Sequence, residues 1–176
     1  MRSIRRMVTI AVVALLMVGA AGSVQANQLE KGDKEINFNV SYTDISPDVG
    51  DSLKTTQIDG RFGYLLTHAH EVGFMLDYMK IEDGSSADAS IYGVFYHYNF
   101  RAGETMNPYV GAQVYAFGGD LGDVYDTSYG LQAGIKVYPW DHAGFNFGLS
   151  WDTLNGKDAF GDGDQTKLFG GVLVKW

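Results

Sequence analysis

The chain has 176 residues, with 21 acidic against 13 basic side chains and a formal net charge of −8 at pH 7. That length allows one domain, and so acidic a protein is a poor candidate for binding nucleic acid. There is no cysteine, which excludes a disulfide framework, a thiol nucleophile and any cysteine metal site.

The N-terminus has the three parts of a secretory signal peptide. Three arginines stand within the first six residues, a short apolar stretch follows, and Val24 and Ala26 form a small-residue cleavage site. We predict a helical, cleaved signal peptide over residues 1–26 and a mature domain over residues 27–176. Cleavage would remove three arginines and no acids, which takes the net charge from −8 to −11. The alternative is a retained membrane anchor, for which the apolar stretch is short.

From residue 34 onward, apolar and polar residues alternate, as in β-strands whose two faces meet different surroundings. Eight such segments of about ten residues each suit an all-β, antiparallel, up-and-down barrel across an apolar band of about 25 Å. The fifth segment is ambiguous, and we place its valines and alanines outward, Gln113 inward and Tyr109 near an interface. The apolar rows cover residues 36–42, 58–64, 72–78, 92–100, 110–116, 129–137, 145–151 and 168–176.

The connections between these segments alternate in character. Four are acidic and rich in glycine, at residues 45–54, 82–88, 118–126 and 155–165, and we expect them to form the longer surface loops. Three shorter turns lie between them on the other side. With eight strands both chain ends reach the turn side, so the first and last strands can pair and leave no exposed edge.

Aromatic residues mark the predicted strand ends. We expect two girdles at the membrane interfaces, because amphipathic rings favour that depth. The predicted interface aromatics are Tyr42, Tyr64, Tyr78, Tyr98, Phe100, Tyr138, Trp140, Trp151 and Trp176. A soluble β-barrel or sandwich would show the same period with its apolar face inward; the export signal, the acidic opposite face and the terminal aromatic favour the membrane form.

The signal peptide, the eight alternating segments and the ending "LFGGVLVKW" resemble the small outer-membrane β-barrel proteins of Gram-negative bacteria. That group includes the OmpA transmembrane domain, OmpW and the Opa-like proteins. The resemblance implies an outer-membrane location and contact with lipid and lipopolysaccharide. It also implies that the assembly machinery recognises the last strand, with Val172, Val174 and Trp176 as the candidate residues. Phe is the usual terminal residue of the group, and Trp departs from it.

Charged residues on the inward rows are the second set of candidates. An eight-stranded barrel is just wide enough to be filled by its side chains, so these charges should pair. The network could be a narrow, gated conduit or a stabilising plug of ion pairs, and we favour the plug. Its predicted members are Asp59, Arg61, Glu71, Asp77, His97, Arg101, Lys136, Asp152 and Lys175.

Enzymatic and metal sites are weakly supported. Some barrels of the resembling group act on lipid A through a His-x-Ser pair, whereas this chain has His97 followed by Tyr98 and Asn99. His68 and His70 fall in a short turn that offers no further ligands.

Asp158, Asp162 and Asp164 could offer oxygen ligands to Ca²⁺, although their spacing does not match an EF-hand loop. The sequence therefore predicts a monomer without a cofactor or an enzymatic activity. Its expected role is structural or surface-interactive; a narrow pore is the alternative, and a lipid A-modifying enzyme is the third possibility.

Overall fold

The computed structural model describes residues 29–47, 53–83, 85–101, 105–157 and 161–176. The predicted signal peptide lies outside these residues. Eight antiparallel strands form one closed barrel in chain order. The strands are β1 Lys34–Pro47, β2 Leu53–Leu65, β3 His70–Asp83, β4 Ser85–Asn99, β5 Met106–Gly119, β6 Tyr125–Val137, β7 Ala143–Gly156 and β8 Gly163–Lys175. A short helix, α1 Asp120–Val124, joins β5 to β6.

The first and last strands close the barrel, as the sequence predicts. β1 and β8 pair from Glu35 opposite Lys175 to Pro47 opposite Gly163. Trp176 extends this ladder, because its backbone exchanges hydrogen bonds of 2.9 and 3.1 Å with that of Lys34. The last residue is therefore held by the sheet instead of fraying.

The register fixes the tilt of the strands. Stepping from partner to partner around the barrel leads from Glu35 back to β1 at Ile45, ten residues further along. For eight strands this stagger corresponds to a tilt of about 40°. A strand of 14 residues then rises about 35 Å, which exceeds the apolar band of about 25 Å.

The strands extend beyond the apolar band on the loop side, so the prediction of long loops on that side is wrong for two of the four segments. β3 and β4 run on to either side of residue 84, so the segment 82–88 is mostly strand rather than a long loop. The segment 118–126 contains α1. Part of the acidic segments therefore belongs to strands that extend beyond the apolar band. The connections that remain on the two sides of the barrel are of similar length.

The outer wall is apolar. Large hydrophobic side chains are exposed along the outward columns of all eight strands, for example Ile58, Leu76, Val94 and Leu168, each 60% or more exposed. In water such a surface would aggregate, and in lipid it is solvated. Among the described residues no helix combines the length and the apolar content that a membrane crossing needs.

Inward glycines make room for large interior side chains. A Cβ added to Gly134 would lie 2.5 Å from the hydroxyl of Tyr109, and one added to Gly73 would lie 2.5 Å from the ring of Phe95. Small and large residues thus alternate across the interior, as filling a narrow barrel requires.

Candidate functional site

The first ion-pair group lies in the interior near the turn side. Lys136 on β6 is fully buried and donates to Glu71 on β3, 2.6 Å away, and also to Glu35 on β1. The Tyr138 hydroxyl donates to Glu35, and His97 Nδ1 lies 3.1 Å from Glu71. Burial and the neighbouring Glu35 carboxylate raise the pKa of Tyr138 well above its ordinary value. Lys136 thereby joins β1, β3 and β6, and the two glutamates extend the group to Tyr138 in the turn and to His97 on β4.

A second group occupies the middle of the barrel. Arg61 Nε lies 3.3 Å from Asp59, and its Nη1 donates to Gln132 across the interior at 2.7 Å. The guanidinium also lies 5.0 Å from the centre of the Phe169 ring, where a cation–π contact is favourable. Asp59 accepts a further hydrogen bond of 2.8 Å from Asn39.

A third group lies closer to the loop side. Lys167 on β8 pairs with Asp77 on β3 at 3.1 Å, and Gln57 donates to the same carboxylate oxygen at 3.2 Å. Asp152 is held by neutral donors, at 2.6 Å from Gln113 and 2.9 Å from Ser150. The pair of Lys167 and Asp77 spans the interior from β8 to β3, and both carboxylates have opposite or neutral partners, so these contacts stabilise the barrel.

Apolar side chains cluster in the interior near both ends of the barrel. On the turn side, a cluster of four buried residues contains Leu29, Leu65, Tyr138 and Leu173. On the loop side, a larger cluster fills the barrel beneath α1, and we call it the apolar cap. Its members are Ile45, Met75, Met79, Ala89, Ile91, Phe95, Tyr115, Phe117, Leu121, Tyr125 and Leu154.

Most of the predicted interior charges do lie inside the barrel. Asp59, Arg61, Glu71, Asp77, His97, Lys136, Asp152 and Lys175 are all buried. Lys175 pairs at 3.3 Å with Asp33, at the edge of the interior. The prediction for Arg101 is wrong. Because β4 ends at Asn99, the alternation that would turn Arg101 inward does not continue, and the residue is exposed.

The alternation also locates interior residues that the sequence analysis missed. Glu35 precedes the inward Asn37 by two positions, and Lys167 precedes the inward Lys175 by eight, so both share the buried face. They were missed because the predicted strands were started one residue too late. Tyr109, placed near an interface, is instead buried in the interior, where it donates to Asn146 at 3.1 Å.

The predicted interface aromatics divide into three groups by burial. The prediction for Tyr138 is wrong. Beyond the end of β6 it still lies on the same inward face as Lys136, and its side chain is buried at 1% exposure. Trp151 and Phe100 are partly buried. The others are exposed on the outer surface: Tyr42, Tyr64, Tyr78, Tyr98, Trp140 and Trp176. Val172 and Val174, with Trp176 the candidate assembly residues, also face outward.

The candidate metal ligands are not brought into one cluster. No group of three potential ligands occurs among the residues that the structure describes, and Asp158 lies outside them. Asp162 accepts a hydrogen bond from the Gly156 backbone at 3.2 Å. His70 lies 2.7 Å from the Tyr96 hydroxyl on the outer wall, and His68 is exposed in the turn.

The loop end is acidic also in the part of the chain that is described. Its exposed or half-buried carboxylates belong to Asp44, Asp120, Asp123, Asp126, Asp162 and Asp164. Lys157 stands among them and donates to the Gly122 carbonyl at 2.6 Å. The surface at this end therefore favours cations over anions.

No protein-family model matches the chain, and no curated protein is similar to it in sequence. Solved structures do match in fold. Neisserial surface protein A is 19% identical, with a TM-score of 0.69 over 83% of this chain and 100% of that one. Ail, the attachment invasion locus protein of Yersinia pestis, is 16% identical, with a TM-score of 0.53 over 83% and 99%. The outer membrane protein OprG from Pseudomonas aeruginosa is 14% identical, with a TM-score of 0.52 over 86% and 99%. The fold is therefore that of the small outer-membrane barrels.

Proposed function

We propose that this chain is a monomeric outer-membrane barrel that acts through its outward surfaces, as a structural and surface-interacting component of the envelope. The observation that carries the proposal is the filling of the interior by the side chains of the described residues. Apolar clusters occupy both ends, and between them lie buried ion pairs such as Lys136 with Glu35 and Glu71. Export through a cleaved signal peptide belongs to the same proposal.

The closed interior argues against passive conduction. An ion that crossed the barrel would have to displace the apolar cap and separate Lys136 from its carboxylates. Breaking a buried pair costs about 3–5 kcal/mol, because it leaves an uncompensated charge in a dry environment. A barrel built in this way gains stability from the network, and its described residues place apolar side chains and ion pairs in the path that an ion would take.

The acidic loop end supports the surface-interacting role. Ail has been crystallised with the heparin analogue sucrose octasulfate. The exposed aspartates here would repel such a polyanion, so we propose a different partner chemistry. Divalent cations shared between these carboxylates and phosphorylated lipopolysaccharide would attach the loop end to the surrounding lipid.

Lipid modification is disfavoured by the position of His97. Its ring is 2% exposed, lies inside the barrel and contacts Glu71. It therefore cannot meet a lipid on the outer wall in this arrangement.

Planar-bilayer recording tests the closed interior. We expect the purified barrel to insert without conductance steps. Steps should appear when Phe117→Ala and Leu154→Ala are combined with Leu65→Ala and Lys136→Ala, because these changes weaken the apolar cap, the turn-side cluster and the ion pairs together. Tyr129→Ala on the outer wall is the matched control and should remain silent. Discrete steps from the unaltered protein would overturn the proposal in favour of a pore.

Calorimetry tests the surface role. The barrel in lipid A-containing vesicles should bind Mg²⁺ or Ca²⁺ beyond the amount that the vesicles bind alone, and Asp162→Asn with Asp164→Asn should reduce the excess. An equal uptake with and without protein would refute the cation-mediated attachment.

A further inference from the structure

The segment before β1 folds back over the turn-side end of the barrel. Residues 30–33 form a turn, in which the Asp33 amide donates to the Glu30 carbonyl at 3.2 Å. The Asp33 carboxylate accepts from the Glu30 amide at 2.9 Å and stabilises the same turn. Gly32 makes this conformation possible, because its φ of 96° lies in the left-handed region that other residues rarely adopt. The segment therefore has a defined fold of its own.

The turn is attached to the strands on both sides of β1. The Gly32 amide donates to the Leu65 carbonyl at 2.8 Å, and the Leu65 amide donates to the Asp33 carbonyl at 2.9 Å. Both bonds are made with the last residue of β2. The Asp33 carboxylate also lies 3.3 Å from the Lys175 ammonium at the end of β8. Because β2 and β8 are the two neighbours of β1, the segment bridges them across the end of the barrel.

Leu29 is the residue of this segment that enters the interior. Its side chain is 3% exposed and belongs to the turn-side cluster, with Leu65, Tyr138 and Leu173. These three partners lie at the turn-side ends of β2, β6 and β8. The Tyr138 hydroxyl donates to Glu35, so the cluster lies directly over the first ion-pair group. Leu29 therefore separates that group from the water on the turn side.

We propose that residues 29–33 form a detachable plug, the N-terminal plug, which seals the turn-side mouth of the barrel and controls the access of water to the first ion-pair group. The plug is attached through one buried leucine, two backbone hydrogen bonds and one partly exposed ion pair. Each strand of the barrel, in contrast, is paired along its length on both sides. The plug therefore opens by local unfolding well before the barrel unfolds. The inference rests on the filled interior of the proposed function.

Cysteine accessibility tests the plug in the mature chain, residues 27–176, which has no cysteine of its own. Leu173→Cys places a thiol directly beneath Leu29, where the native side chain is 1% exposed. Thr43→Cys places a thiol nearer the loop side, at an equally buried position of β1. Each protein is folded in phospholipid vesicles and treated with a charged, water-soluble methanethiosulfonate. The labelling rate is measured, and tryptophan fluorescence checks that the barrel is folded.

Leu29→Ala should raise the labelling rate of Leu173→Cys about a hundredfold, because truncation of a buried leucine shifts an opening equilibrium by about that factor. Gly32→Ala should raise it about tenfold through backbone strain alone, since a Cβ there has no atom within 4 Å. Leu66→Ala is the matched control and should leave the rate unchanged, because this neighbouring leucine is 46% exposed. Labelling of Thr43→Cys should stay slow in every variant.

Two outcomes would overturn the plug. Equally slow labelling of Leu173→Cys with and without Leu29→Ala would mean that Leu29 does not seal the mouth. A rise at Thr43→Cys as large as the rise at Leu173→Cys would mean that the change loosens the whole barrel and not one segment. Fast labelling at both positions in the presence of the native Leu29 would instead overturn the filled interior, and with it the proposed function.

Discussion

Replacing Lys136 by methionine tests whether the interior network stabilises the barrel. The lysine is fully buried and donates to two carboxylates, those of Glu35 and Glu71. Methionine has a similar length but no charge, so Lys136→Met leaves both carboxylates without their cation. Removal of one partner from a buried pair costs about 3–5 kcal/mol. We expect a loss of that size in the free energy of unfolding.

The assay is urea unfolding in phospholipid vesicles, followed by tryptophan fluorescence. With a slope of about 2 kcal/mol per molar urea, the expected loss moves the midpoint down by about 1.5–2.5 M. A second change separates lost charge pairing from lost packing. Glu35→Gln in the Lys136→Met background removes one orphaned charge and should recover about 1–3 kcal/mol.

Two outcomes would refute the reasoning. An unchanged midpoint in Lys136→Met would mean that water reaches the carboxylates and solvates them, so that the interior is not closed. A loss that Glu35→Gln deepens instead of relieving would mean that the hydrogen bonds of Glu35, and not its charge, determine the effect.

Three further changes test other parts of the structure. Gly134→Ala should destabilise the barrel by about 1–3 kcal/mol through overpacking in the interior, whereas the outward Gly60→Ala should be neutral or stabilising in the same urea assay. Tyr138→Phe should cost about 2 kcal/mol, because it removes a hydrogen bond to a buried carboxylate; an unchanged midpoint would place this hydroxyl in water. Trp176→Ala should lower the amount of folded barrel in the outer-membrane fraction, while Trp140→Ala, also exposed at the turn side, should not. Equal levels of the two variants would contradict the predicted role of Trp176 in assembly.

The alternation of apolar and polar residues predicted the barrel, because successive side chains of a strand point to opposite faces and here the two faces have different surroundings. The eight strands, their antiparallel order and the pairing of the two ends are confirmed. Strand ends were harder to predict, because parity continues only as long as the ladder does. Arg101 lost its inward parity where β4 ends, while Tyr138 kept it beyond β6 because its backbone donates to the Thr105 carbonyl at 2.7 Å.

The sequence predicted most of the charged residues of the interior, but it did not predict the apolar cap. The inward rows were expected to be polar and to form a polar lumen. The apolar cap shares the same parity, but residues such as Ile91 and Phe117 were not recognised as interior. Alternation between polar and apolar residues fails at these positions, because both faces of the strand are apolar there. The position of an inward aromatic depends on which glycine faces it across the strands, as Gly134 faces Tyr109, and that pairing needs the register.

Solved structures with 14–19% identity share the fold, so the closed wall itself does not specify what this chain does. Specificity must come from features that the fold leaves free, and the exposed or half-buried carboxylates of the loop end are such a feature. Asp44 on β1 lies opposite Thr166 on β8, and Asp164 follows opposite Ser46, so two of these carboxylates lie on neighbouring strands of one seam. If a divalent cation joins them to a phosphorylated lipid, chelation of the cation should weaken retention of that lipid, and Asp44→Asn with Asp164→Asn should weaken it to the same extent. Retention that neither change affects would mean that these carboxylates do not bind the lipid.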